Sequence, residues 1–198
     1  MHQLLIATHN PGKVREFQKF LSLHPVQVTD LDTLPQTGPC LETGSTFEQN
    51  AREKAEYYSQ FTSYLTLADD SGLVIDALDG QPGVFSARFL SLSASDEDRC
   101  REVLRLLSGV PDELRLAKFV CCLALARRGK LLDIFQGTVE GVIIHELKGK
   151  FGFGYDPIFL ISEVGKTMAE LETEEKLRLS HRGVALQKLA VGLTHLLT

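Results

Sequence analysis

Leu4-Leu5-Ile6-Ala7-Thr8-His9-Asn10-Pro11-Gly12-Lys13, followed by apolar residues at Val14, Phe17 and Leu21, reads as a short strand turning directly into a helix. The opening apolar run suits a buried strand, and the 3,4 spacing behind the turn is that of an amphipathic helix. The alternation continues downstream. Residues 30–45 contain Pro35, Gly38, Pro39 and Gly44 and are expected to form a loop. Phe47, Ala51, Ala55 and Tyr58 mark a second helix. Leu65 to Ala68 predicts a strand that stops at Asp69-Asp70-Ser71-Gly72, with extended structure resuming from Leu73 to Ala77. Cys100, Val103, Leu104 and Leu107 stripe a third helix, closed by Gly109 and Pro111.

From Lys118 the pattern changes. Phe119 to Ala126, Leu131 to Phe135 and Val139 to His145 read as strands, with Arg127-Arg128-Gly129-Lys130 as the first turn. A glycine-dense stretch from Gly149 to Gly154 precedes a strand from Pro157 to Ile161. Leu186, Leu189, Leu193 and Leu196 then follow 3,4,3 spacing behind Ser180, a suitable N-cap. Alternating helices and strands followed by hairpin-spaced strands predict a mixed α/β sheet rather than a uniformly parallel one.

At 198 residues the chain is expected to be one domain, or two small lobes sharing a core. Hydrophobic residues at 43% and charged residues at 24% exclude a disordered or fibrous chain. The longest apolar run, Phe119 to Ala126, is far short of the ~20 residues of a membrane span, so no membrane partner is expected. The first residues lack the basic and then apolar layout of a secretion signal, and a cytoplasmic location is expected. A net charge of −5 offers no global field for nucleic acid. A polyanionic ligand therefore needs a local cluster of cations or a carboxylate-held metal. Cys40, Cys100, Cys121 and Cys122 show no C-x-x-C spacing and are expected to be buried or idle thiols in a reducing compartment.

Five segments carry the residue types of a phosphate chemistry. With Asn10 as N-cap and Pro11 at the first helical position, the amides of Gly12 and Lys13 become orphan donors at the positive helix end, an anion site. Lys13 opposes the helix dipole there, a conflict that a bound anion removes; a capped helix with a solvated lysine has the same pattern. The glycines of a P-loop are absent. Asp69 and Asp70 point to opposite sides of extended chain, so one can face a site while the other orients neighbours. Glu42, in Glu42-Thr43-Gly44, and one of these aspartates can share Mg²⁺, which takes hard oxygen ligands completed by phosphate and water. Asn50 and Lys54, four apart, share one helix face. The last group is Gly152-Phe153-Gly154-Tyr155-Asp156-Pro157 with Lys176 and Ser180-His181-Arg182-Gly183, where glycines around an aromatic let backbone and ring approach a flat ligand.

Taken together, these segments resemble the inosine/xanthosine triphosphate pyrophosphatase family, the Ham1-like proteins. The resemblance runs through Ala7-Thr8-x-Asn10-x-Gly12-Lys13, Glu42-Thr43-Gly44-x-Thr46-Phe47-x-x-Asn50-Ala51-x-x-Lys54-Ala55 and Ala68-Asp69-Asp70-Ser71-Gly72-Leu73. It continues through Gly80-x-Pro82-Gly83, Ser86-Ala87-Arg88, Gly152 to Phe159, Ala169-Glu170-Leu171 and Ser180 to Gly183, in family order. It implies an elongated mixed β-sheet flanked by helices, two lobes with a central cleft, and a homodimer. It implies hydrolysis of ITP, dITP or XTP between the α and β phosphates, giving monophosphate and pyrophosphate. By position Asp70 resembles the general base and a Mg²⁺ ligand, with Glu42 as second ligand. Thr8, His9, Asn10, Pro11, Gly12, Lys13 and Lys54 then hold the phosphates, and Ser71 contacts the nucleotide. Phe153, Gly154, Tyr155, Asp156, Lys176, His181 and Arg182 surround base and sugar. His9 stands where bacterial relatives often carry glycine. Selectivity against ATP needs a buried donor facing the six-carbonyl, from amides near the Gly152–Tyr155 turn or from Arg182.

Overall fold

The structure, a computed structural model, describes residues 2–34 and 37–196, with side chains to residue 194. Pro35 and the side chain of Leu196 lie outside the described residues. The elements are β1 His2–Ala7, α1 Pro11–Leu21, β2 Val26–Asp30, α2 Phe47–Tyr58, β3 Leu65–Ile75 and α3 Asp96–Leu106. They continue with β4 Leu116–Arg127, β5 Lys130–Ile143, β6 Phe159–Ile161, β7 Lys166–Thr167, α4 Thr173–Leu179 and α5 His181–Leu196. One seven-stranded sheet runs in the order β2-β1-β3-β4-β5-β6-β7. β1 is parallel to both β2 and β3, while β6 is antiparallel to β5 and β7. The expected mixed α/β sheet is what forms.

Local pattern explains most elements. In α1, Phe17 and Leu21 are buried; in α2, Ala51, Ala55 and Tyr58; in α3, Cys100 and Val103, with Leu107 just beyond. α5 buries Leu186, Leu189 and Leu193, and Ser180 Oγ accepts from the Gly183 amide at 3.1 Å, as an N-cap should. The β4–β5 turn has Arg128 at φ 52° and Gly129 at φ 76°, the paired positive dihedrals of a type I′ hairpin, which matches strand twist.

Several expectations need correction. β3 does not stop at Asp69; it runs without a break to Ile75, because Asp69, Asp70 and Ser71 within it each have a side-chain partner. Gly72 also allows close approach there: a Cβ would collide with Ser86 Oγ and lie 2.6 Å from the Gly83 carbonyl oxygen. Residues 131–135 and 139–145 are one strand, not two, since Gln136-Gly137-Thr138 stays extended and β5 ends at Ile143. The segment expected as a loop from residue 30 opens with a helical turn at Leu31–Thr33, capped by the Asp30 side chain. Asp156–Ile158 likewise forms a helical turn before β6. The short β2, β7 and α4 carry too few apolar positions for their periods to show.

The chain packs as two compact units, 1–70 with 121–137 and 184–198, and 71–120 with 138–183. In the first, Leu4, Leu5, Ile6, Phe17, Leu67, Leu123 and Leu189 are fully buried. Each such side chain contributes roughly 1.5–3 kcal/mol of transfer free energy. In the second, Leu73, Ile75, Val103, Phe119, Tyr155, Phe159 and Met168 belong to one buried cluster.

Within the first unit the register positions the chemistry. Ala7 of β1 lies beside Ala68 of β3. Thr8–Lys13 and Asp69–Asp70 therefore follow the same end of the paired stretch of β1 and β3, at the carboxyl end of β1, where α/β sheets place ligands.

Candidate active site

The first cluster begins at the α1 N-terminus. The Asn10 side chain accepts from the amides of Gly12 at 2.8 Å and Lys13 at 3.1 Å, and Pro11 occupies the first turn. This corrects the expectation of two orphan amides, because one cap oxygen satisfies both donors. Thr8 Oγ1 accepts from the Asn10 amide at 3.2 Å, and His9 is exposed. Lys13 is not left to solvent. Its ammonium pairs with Asp69 Oδ1, so a carboxylate of the protein itself resolves the conflict with the helix dipole.

The two neighbouring aspartates divide as strand geometry requires. Asp69 turns to Lys13 and, through Oδ2, to the Cys121 thiol at 3.3 Å. Asp70 Oδ2 accepts from Asn50 Nδ2 at 3.0 Å, while Asp70 Oδ1 lies 3.5 Å from the Lys54 ammonium. Burial pushes the Asp70 carboxyl above its ordinary value, against the opposing pull of Lys54, Lys13 and Asn50. Burial would lower Lys54, but Asp70 and Glu42 outweigh it and raise its pKa, so the ammonium stays charged.

Glu42 arrives on the segment before α2, and its Oε1 lies 2.9 Å from the same Lys54 ammonium. That segment folds back on the helix. The Gly44 amide donates to Asn50 Oδ1 at 2.9 Å, and Thr43 donates through its amide and hydroxyl to Glu53. A Cβ on Gly44 would sit 2.6 Å from Gln49 Cβ and 2.8 Å from Asn50 Oδ1, so only glycine allows this approach. Asn50 is fully buried and serves both sides, donating to Asp70 and accepting from Gly44. Its place on the face of Lys54 was legible in sequence; its hub role was not.

One point, where the Lys54 ammonium rests, is within reach of both Glu42 and Asp70. These are hard oxygen donors, and they fit a divalent cation of the Mg²⁺ type. Among the described residues no group of three or more His, Cys, Asp or Glu forms a metal cage. The pair therefore suits an ion whose remaining positions are filled by water and phosphate oxygens.

The second cluster lies in the other unit. Asp156 Oδ2 accepts from the Phe153 amide at 2.9 Å and from the Lys176 ammonium at 2.6 Å. Gly152 sits at φ 78°, and a Cβ there would collide with Asp156 Oδ2. The Gly154 amide donates to Asp96 Oδ2 at 2.7 Å, its carbonyl accepts from the Cys100 thiol at 3.4 Å, and the Tyr155 hydroxyl donates to the Ser86 carbonyl at 2.9 Å. The Phe153 and Gly154 amides are thus taken by carboxylates and are not the donors expected for a six-carbonyl.

Phe153 is partly exposed. Lys176 Nζ lies 4.6 Å and Arg182 Cζ 5.6 Å from its ring centre. Arg182 donates to Ser71 Oγ at 2.8 Å. The His181 ring stacks on Phe119 with centroids 4.7 Å apart. Lys176, His181 and Arg182 are all buried. The part that Asp96, Cys100 and Ser86 play in wiring this turn gave no local signal, because their partners lie more than fifty residues away.

This arrangement matches known proteins over nearly its full length. The sequence profile described as "Ham1 family" covers residues 4–191. A protein of Bacillus subtilis (strain 168) named dITP/XTP pyrophosphatase is 45% identical over 190 residues, covering 96% of each chain. Its namesake in Halalkalibacterium halodurans is 48% identical over 189 residues, 96% of this chain and 97% of its own. A solved HAM1 protein from Coxiella burnetii superimposes with a TM-score of 0.88 at 40% identity, over 98% of this chain and 100% of that one. No helix among the described residues is long and apolar enough to cross a membrane. With sequence and backbone agreeing from the first strand to the last helix, the chain belongs to the Ham1 family.

Proposed function

We propose that this chain hydrolyses the non-canonical purine nucleoside triphosphates ITP, dITP and XTP between the α and β phosphates. The products are the nucleoside monophosphate and pyrophosphate, and the effect is to clear such nucleotides from the pool. The observation that carries this reading is the convergence of half-buried Glu42 and buried Asp70 on the Lys54 ammonium, with a second lysine, Lys13, held by buried Asp69.

Glu42 and Asp70 would hold Mg²⁺. Bound there, the ion supplies positive charge against the triphosphate and acidifies water. Asp70 accepts the proton of the attacking water, for which a carboxyl raised by burial is better matched than an exposed one. The ammonium groups of Lys13 and Lys54 meet charge that moves onto the leaving pyrophosphate. The Asn10 cap presents Thr8, His9 and the first turn of α1 to the same phosphates. In the second unit, Phe153 offers a ring face to the base, with Gly154, Tyr155 and Asp156 shaping the turn beneath it. Lys176 braces that turn through Asp156, and His181, stacked on Phe119, would border the base and sugar. Arg182, with Ser71, is the donor that distinguishes a six-carbonyl from the amino group of adenine.

The family match over residues 4–191 supports reading residues 1–198 as one catalytic domain. A homodimer, as the resemblance implies, belongs to the same proposal and is checked by sedimentation. The free thiols among the described residues suit the reducing cytoplasm.

Incubation with ITP, XTP, GTP and ATP, with and without Mg²⁺, tests the reading. Monophosphate and pyrophosphate from ITP and XTP are expected, dependent on the metal. A diphosphate product, or ATP cleaved as well as ITP, would reject it.

A further inference from the structure

We infer that Asp69 and Cys121 form a positioning relay that aims Lys13, deepening the reading above by one layer and resting on it. Asp69 is buried, and each of its carboxylate oxygens has its own partner: Lys13 on Oδ1 and the Cys121 thiol on Oδ2. A carboxylate held by one oxygen can still rotate about its Cβ–Cγ bond. A second donor on the other oxygen stops that rotation. The strand pairing supplies the rest, since Ala7 against Ala68 brings the α1 start beside Asp69, and β4 follows β3 in the sheet.

Lysine has a flexible four-carbon stem that loses much rotamer freedom when ordered. Anchored by Asp69, the Lys13 ammonium is ordered before any phosphate arrives, which removes that cost from binding. Cys121 is fully buried, so its thiol acts as a small apolar side chain with a weak donor. Neither residue needs to touch the nucleotide. Both act through Lys13.

The test is a double-mutant cycle read by pyrophosphate binding in a calorimeter and by the KM and kcat of ITP hydrolysis. The set is Lys13→Met, Asp69→Asn, both together, Cys121→Ala and Cys121→Ser. Asp69→Asn is expected to weaken pyrophosphate binding and raise KM by ~10-fold, with a smaller change in kcat, the scale of a charge-assisted contact. In the Lys13→Met background it should have no further effect. Cys121→Ala should weaken binding ~3-fold, and Cys121→Ser, which restores a donor, should recover it. An undiminished Asp69→Asn effect without Lys13, or wild-type behaviour of Cys121→Ala, overturns the relay. Should Asp69→Asn fail to fold, the Cys121 pair decides alone. The same cycle in pyrophosphate binding without ITP cleavage keeps the relay and rejects the proposed reaction. Absence of pyrophosphate binding in the unaltered protein rejects both.

Discussion

Asn50 donates a hydrogen bond to Asp70 at 3.0 Å from a fully buried position on α2. The contact orients the carboxylate, yet it does not offset the penalty of burying it, since the Asp70 pKa remains raised. Function and stability therefore pull in opposite directions at this residue.

Asp70→Asn is expected to lower ITP turnover by at least ~100-fold, the scale of a lost general base. It should not lower stability at neutral pH. A carboxyl raised in the folded state favours folding in its protonated form, fully so below its unfolded value of 3.8, and that contribution is lost as pH rises through the folded value. The variant should thus melt at or above the unaltered protein near pH 7, with the difference vanishing in acid. Scanning calorimetry across pH checks this, and a variant that melts lower at neutral pH contradicts it.

Lys54→Met removes the cation between Glu42 and Asp70. The Lys54 pKa is raised in the fold, so its stabilisation is fully present below its unfolded value of 10.5 and disappears as pH rises through the folded value. At neutral pH the substitution should cost on the order of 3 kcal/mol, because it leaves the buried Asp70 carboxylate without its cation. Added Mg²⁺ should restore part of the lost Tm. A variant whose Tm ignores Mg²⁺ would show that the two carboxylates do not share a cation.

Gly72→Ala tests the continuity of β3. Its methyl group would meet Ser86 Oγ and the Gly83 carbonyl, and part of that obstacle is backbone. A loss of about 1–3 kcal/mol in urea unfolding is expected, the usual scale of overpacking. An unchanged midpoint would mean that the Ser86 turn moves aside freely.

Arg182→Lys keeps the charge but loses the planar fork that reaches Ser71. For ITP, kcat/KM should fall by at least ~10-fold, and for ATP by less, so that discrimination narrows. Side-by-side kinetics give the ratio. Equal losses on both nucleotides would remove Arg182 from base recognition.

The sequence by itself determined the fold class, the four main amphipathic helices, most strands and the residue types of both clusters. Helical spacing at Phe17 and Leu21, or at Leu186, Leu189 and Leu193, is a local signal, since one turn repeats every three or four residues. It also separated Asp69 from Asp70, because side-chain alternation is a property of the strand alone.

Only the tertiary structure decided which partner each charge meets. Lys13 and Asp69 are 56 residues apart, and the Asp69 and Cys121 side chains 52. These meetings depend on strand register and sheet order, which no local pattern encodes. For the same reason Asp69-Asp70-Ser71-Gly72 read as a strand break: polar residues leave a sheet interior unless partners satisfy them, and here Lys13 pairs with Asp69, Lys54 and Asn50 meet Asp70, and Arg182 meets Ser71, all from distant parts of the chain.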